Sequence, residues 1–262
     1  MKLAARGTLA SIVVGGLLAI GSVAPTFAVQ APSPLVPEAS TSAAGARPCR
    51  PEAIAARDNG VGNLRTLGDC EIDQRLDTIT KLQARVAGAA ALTVADRAAL
   101  QSQLTADTSG LTALRAAIDG DTDVHVLKAD LRKIATDFRV YLLMAPKVAD
   151  VIAADNELAA VARLDTQATK LQARIDADTA AGKDVTGAQA DLDAMTAKVA
   201  QVSPLVAGIP AAVLPLTPTQ YNAGTAKPIL VSSRTSLQAG RGLLAGARAD
   251  ARACVAALKA LG

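Results

Sequence analysis

Apolar residues recur along this chain at alternating steps of three and four. Ile72, Leu76, Ile79 and Val86 lie on one such stripe, with Gln83 as its polar member. Leu100, Leu104, Leu111, Leu114 and Ile118 form a second, and Val124, Leu127, Leu131, Ile134, Phe138 and Tyr141 a third. Val185, Ala188, Leu192, Met195, Val199, Val202 and Val206 form a fourth; Leu237, Leu244, Ala247, Ala251, Cys254, Leu258 and Leu261 form a fifth. A stripe of this period is the buried seam of a helix packed beside others. No run alternates apolar and polar residues as a half-buried strand does. The pattern therefore predicts an all-α protein: an elongated antiparallel helical bundle with coiled-coil character.

The stops between stripes are equally legible. Thr93 and Asp96 have the spacing of a capping box at the start of the second helix. Gly120 ends it, and Asp121 or Thr122 caps the next. That third helix reads from about Asp123 to Ala181, roughly 85–90 Å at 1.5 Å per residue. Pro146 lies inside it and is expected to kink or split it. Gly182 ends it and Asp184 caps the fourth. Pro204, Pro210, Pro215, Pro218 and Pro228 then break up residues 203–228, an irregular connection with short helical pieces at most. The last helix is expected from about Ser232 to the C-terminus.

Two segments repeat. Residues 75–86 read RLDTITKLQARV and residues 163–175 read RLDTQATKLQARI. Each is followed by a capped turn and another amphipathic segment. The shared order of residues predicts a duplicated helical hairpin.

The N-terminus has a different character. Lys2 and Arg6 precede an apolar stretch from Leu9 to Val23, and Ala24-Pro25-Thr26-Phe27-Ala28 follows. That is the layout of a secretory signal, with cleavage expected after Ala28. The apolar run is shorter than the roughly 20 residues a spanning helix needs. No later segment reads as apolar all round for long enough to span a bilayer. Residues 29–60, rich in Pro, Ala and Ser up to Pro48, read as a flexible linker. Cys49 and Pro51 open a transition in which Ile54 to Arg57 form a helical turn. The helical bundle is expected over 61–262.

Charge and composition narrow the functions. The full chain carries +3. Without Lys2 and Arg6 it has 25 basic against 24 acidic residues, a net of +1. No basic cluster marks a nucleic-acid interface. Aromatic residues make up 2% of the chain, and beyond the signal only Phe138, Tyr141 and Tyr221 remain. So few aromatic faces argue against base-stacking platforms and cages for quaternary amines.

Candidate chemistry is sparse. His125 is the one histidine; it falls at a helix start, where a solvent-facing residue is the expected role. A zinc site needs several such ligands. Asp119, Asp121 and Asp123 alternate as calcium-loop ligands do, but Val124 stands at loop position six and Asp130 at twelve, where an EF-hand needs glycine and a bidentate acid. An interhelix turn is the expected reading. Asp150, Asp155 and Glu157 lie close in sequence, without any sign of a pocket that would set their pKa values apart. No catalytic, cofactor or metal residue is assigned. The run Val140–Ala145 is apolar on every side and reads as the centre of the bundle, with Tyr141 buried and its hydroxyl partnered.

Cysteines outside the cytoplasm pair by default. Cys70, just before the first stripe, and Cys254, on the last, are the preferred pair; Cys49 with Cys70 is the alternative.

The stretches DCEIDQRLDTITKL, TDFRVYLLMAPKV and VIAADNEL, with the alanine-rich helices after them, resemble a family of uncharacterised exported alanine-rich helical proteins of high-GC bacteria. The resemblance covers most of 64–262 and is most specific over 137–148. It implies export and helix, and no ligand or activity. The expected function is a non-enzymatic, extracytoplasmic structural or protein-interaction role, secreted or associated with the cell envelope. The alternatives are a lipid- or envelope-binding module and an envelope chaperone. No nucleic-acid partner and no cofactor are expected. Heptad-like seams close within one chain or between chains of a homo-oligomer.

Overall fold

The computed structural model describes residues 49–262. The expected signal sequence, residues 1–28, and the linker up to residue 48 lie outside the described residues. The described chain is all-helical, without strands. Its elements are α1 (Arg50–Ala55), α2 (Val61–Gly88), α3 (Val94–Gly120), α4 (Val124–Thr136), α5 (Ala145–Ala180), α6 (Thr186–Val206), α7 (Ile209–Val213), α8 (Pro218–Asn222) and α9 (Ala226–Ala260). A 3-10 turn at Ala56–Asp58 follows α1, and one π-helical turn, Val140–Met144, precedes α5. Residues 49–60, expected as the end of a flexible linker, instead form α1 and the 3-10 turn, and a disulfide holds α1 on α2.

The six longer helices fall into two sets of three. In the first, α2 packs on α3 and α4, and in the second, α5, α6 and α9 pack on one another, with α6 along α9 the most extensive contact. The antiparallel sense of α2 and α3 is fixed by Arg115, which reaches Asp69 and Asp73, and by Arg65, which donates to the Asp121 carbonyl. Gly68 lets the three N-terminal helices converge. A Cβ there would sit 2.9 Å from Leu131 Cδ2 and 3.2 Å from Ile118 Cγ2. In the second set, Lys198 on α6 pairs with Asp250 on α9 and Val206 lies against Gly240, so α6 and α9 run antiparallel.

The stripes read from the sequence form the core. Ile72, Ile79 and Val86, all five residues of the second stripe, and Leu127 with Ile134 are buried. Met195, Val199, Val202, Val206, Leu244 and Cys254 bury the C-terminal set. The caps are present too. Thr93 Oγ1 accepts from Asp96 N at 3.1 Å. The cap of α4 is Asp123, which accepts from His125 N at 2.6 Å, rather than Asp121 or Thr122; ahead of α6, whose N-cap position is Val185, Asp184 accepts from Thr186 N at 3.0 Å. Gly182, at φ +75°, ends α5. Arg97 closes the turn between α2 and α3. Its guanidinium donates to the Val86, Ala87 and Ala89 carbonyls, which the last turn of α2 leaves without helical partners.

Four further expectations about the helices are corrected. The long third helix is split, but upstream of Pro146. The chain leaves helical geometry at Asp137–Arg139, where Arg139 turns left-handed (φ 43°). A π turn follows, in which the Arg139 carbonyl accepts from Leu143 N and Met144 N. Pro146 then falls in the first turn of α5, where a missing N–H costs nothing. The break is pinned from α8. Asn222 donates to the Thr136 carbonyl at 2.9 Å and accepts from Arg139 Nε at 2.6 Å.

The apolar run at the break is only half interior. Val140, Leu143 and Met144 are buried, whereas Tyr141 is 44% and Leu142 50% exposed. The wide turn rotates those two outward, and the Tyr141 ring lies under the Arg75 guanidinium at 5.5 Å rather than in the core. The last helix begins at Ala226, ahead of Ser232, since Pro228 is tolerated in a first turn. Finally, one later stretch, Thr186–Val213, is long and apolar enough by length and composition to cross a membrane. Its exposed face includes Ala197, Ala200, Pro204, Ala207 and Ala211 beside Asp193, Thr196 and Gln201, and these small apolar residues raise its hydropathy without lengthening the core seam.

Candidate functional site

Two places in the interior hold ionic groups, and both are built on α5. On the side facing α9, Asp150 and Glu157 stand seven residues apart, two helical turns, and so share a face. Arg234 and Arg241 on α9 have the same spacing. Glu157 Oε1 accepts from Arg241 Nε at 3.3 Å. Both acids are buried, and Asp150 Oδ2 and Glu157 Oε2 have no hydrogen-bond partner among the described residues. Burial pushes the Asp150 carboxyl up to about 6 against the pull of Arg234 and Arg241. It pushes Glu157 up to about 7 against the pull of Arg241. Asp155, on another face, accepts from Thr93 N at 2.9 Å and ties α5 to the turn between α2 and α3.

The second place surrounds Lys147, which is 2% exposed. It is the one charged residue within the apolar stretch from Val140 to Ala149. Its ammonium donates to Gln103 Oε1 at 2.7 Å, the Leu214 carbonyl at 3.1 Å and the Leu216 carbonyl at 2.7 Å. Three N–H groups thus meet three oxygens, and the strand of chain between α7 and α8 is fastened to α3 and α5. Gln103 completes the arrangement by donating to the Leu214 carbonyl at 3.0 Å. Desolvation brings the Lys147 pKa down to about 8, with Asp107 opposing. Asp107 is itself pushed up to about 6 by burial, with Lys147 opposing. A cleft of about 320 Å³ lies over this pair.

The residues singled out in the sequence are otherwise dispersed. Cys49 and Cys70 form the disulfide, with Cα atoms 5.8 Å apart, and Cys254 is a free, buried thiol. The preferred Cys70–Cys254 pairing is therefore corrected in favour of its alternative. Cys254 faces the α6–α9 seam in the C-terminal set, whereas Cys70 belongs to the N-terminal set, and α1 brings Cys49 onto it. His125 is exposed in the first turn of α4. Asp119 is exposed, Asp121 offers its carbonyl to Arg65, and Asp123 is a helix cap. No group of three or more metal-ligating side chains gathers among the described residues. Lys147 and Asp107 were missed by sequence reading. A lone lysine inside an otherwise apolar helical run is the signal that points to Lys147; nothing local marks Asp107.

No protein-family model, no curated protein and no solved structure matches this chain.

Proposed function

We propose that this is an exported, non-enzymatic protein that presents helical surface to a protein partner outside the cytoplasm. The observation that carries the reading is the surface at the π turn. Tyr141 and Leu142 project side by side from it, half exposed, with the Arg75 guanidinium stacked on the tyrosine ring. Tyrosine and arginine beside a bare aliphatic group are the composition of interface hot spots. The disulfide at Cys49–Cys70 fits an oxidising compartment and so supports export. The ionic groups of the interior support a structural rather than catalytic reading, since Lys147, Arg97 and Asp155 all bind backbone atoms.

We read the architecture as an elongated antiparallel bundle built from a duplicated hairpin. The two copied segments lie in α2 and α5, each the first helix of a set of three. Val86 and Ile175, which close the two copies, are both buried, and Leu82 and Leu171 both join the core.

The test is fractionation of producing cells with the native chain and a Tyr141→Ala, Leu142→Asp double variant. Retention of the native chain in the envelope fraction, with release of the variant to the medium, supports the reading. Identical partition of the two chains removes the π-turn surface from it.

A second reading, lipid binding, is favoured by the alanine-covered outer face of α6 and the hydropathy of Thr186–Val213. Flotation with anionic and neutral vesicles tests it: a chain that stays with the soluble fraction in both is not a lipid binder.

A further inference from the structure

We propose that the cleft over Asp107 binds small apolar amines, with the ligand's ammonium group on the Asp107 carboxylate. The cleft, about 320 Å³, lies between α3, the π turn and residues 214–218. That is within the size range of small-molecule pockets, which are apolar with a few placed polar groups. Phe138, Leu143 and Met144 line one side, and Leu214, Leu216 and Pro218 the other. Phe138 lies close over the backbone of α3. A Cβ at Gly110 would fall 2.5 Å from its Cε1, so the ring is seated against the helix that carries Asp107.

The polar groups decide the ligand's chemistry. Lys147 has no N–H left to offer, because its three donors are taken by Gln103, Leu214 and Leu216. An anionic ligand therefore finds no free cation. Asp107 is half-buried and makes no hydrogen bond among the described residues; its Oδ2 lies beneath the surface, which leaves Oδ1 as the oxygen toward the cleft. The cleft thus presents mostly apolar walls, with Gln103 and Thr217 at its margin and an unpartnered carboxylate among them. A primary ammonium on a compact hydrocarbon body supplies both the donors and the charge that this acceptor lacks, and the Phe138 ring adds an aromatic face for the cation. The charge of Lys147 opposes a second cation, which keeps the affinity weak, with Kd on the order of millimolar. This site does not depend on the protein partner proposed above, and its test reads a different property.

The experiment is a methyl NMR titration of the full folded chain with benzylammonium, using benzyl alcohol as the neutral analogue of the same shape. The Met144 methyl, assigned through Met144→Leu, is the reporter. Benzylammonium is expected to give saturable shifts there, at least tenfold tighter than benzyl alcohol and at least tenfold tighter than in Asp107→Asn. The proposal fails if no saturable shift appears by tens of millimolar. Equal affinity for the alcohol also overturns it, and that comparison needs only the native chain. So does undiminished binding by a folded Asp107→Asn variant.

Discussion

The carboxylate of Glu157 on α5 fills the place that a side chain at Gly240 on α9 would occupy. The two helices approach closely because position 240 has no Cβ. A methyl group there would meet Glu157 Oε2, and Val206 Cγ1 closes the other side at 3.3 Å. Gly240→Ala is therefore expected to destabilise the chain by about 1–3 kcal/mol, the usual cost of overpacking a filled interior. Denaturant unfolding measures it. In a Glu157→Ala background the same substitution is expected to cost about 1 kcal/mol less, since the obstructing carboxylate is gone.

The same carboxylates make stability depend on pH in an unusual direction. Asp150, Glu157 and Asp107 have folded pKa values raised to about 6, 7 and 6 by burial. Between the unfolded carboxylate range, near 4, and those values, the folded chain holds more protons than the unfolded one, so stability falls as pH rises. The melting temperature is expected to be higher at pH 5.5 than at pH 8. Glu157→Gln should flatten the upper part of that slope, and a native profile that rises across this window would contradict the burial argument. Lys147 acts in the opposite sense above about 8, where its lowered pKa makes stability rise with pH toward the unfolded lysine value.

Lys147→Met keeps the aliphatic length and removes the ammonium. The Leu214 and Leu216 carbonyls and Gln103 Oε1 then lose a donor in a buried setting. Unsatisfied buried acceptors cost about 1–3 kcal/mol each when water cannot reach them. The expected loss is about 3 kcal/mol overall, accompanied by faster limited proteolysis within residues 214–218 than elsewhere in the chain.

Cysteine chemistry offers a fourth check. A non-reduced peptide map is expected to join Cys49 to Cys70 and leave Cys254 as the free thiol. Cys254 is fully buried, and burial, with Asp191 nearby, pushes its pKa up. A thiol reagent should therefore label it only on unfolding. Replacing both Cys49 and Cys70 by serine is expected to cost about 3 kcal/mol, from the chain-entropy model for a closure across 21 residues.

Sequence pattern carried the helices well because burial of one face sets a period that survives any detail of packing. Leu100, Leu104, Leu111 and Ile118 are core residues for that reason alone. The cap at Thr93 was equally local, so it too was readable, whereas the cap of α4 falls at Asp123, just past the Asp121 and Thr122 that the sequence offered. What escaped depends on contacts across the fold. The break at Asp137–Arg139 is held by Asn222, more than eighty residues later, and no local rule places it ahead of Pro146. Tyr141 continues the heptad spacing in sequence, yet the π turn adds a fraction of a turn and swings it outward. Cys49 with Cys70 stood only as the alternative pairing, because the fold-back of α1 on α2 that selects it is set by packing and not by local pattern. Asp150, Asp155 and Glu157 were visible as a group, but the partners of Asp150 and Glu157 on α9, and that of Asp155 at Thr93, follow only from how α5 packs.

The disulfide at the edge of the fold also determines how the molecule would carry tension. A pull applied on the N-terminal side of Cys49 does not travel through α1 and the turn after it. It passes through the sulfur bridge into α2 at Cys70, within the helix and ahead of its main core residues. The segment between the two cysteines is bypassed, so α1 could unravel, or the backbone at Asn59–Gly60 be cut, without lengthening the connection. Load would reach the packed core of α2, α3 and α4 at Cys70, and only reduction of one bond would let the intervening chain pay out.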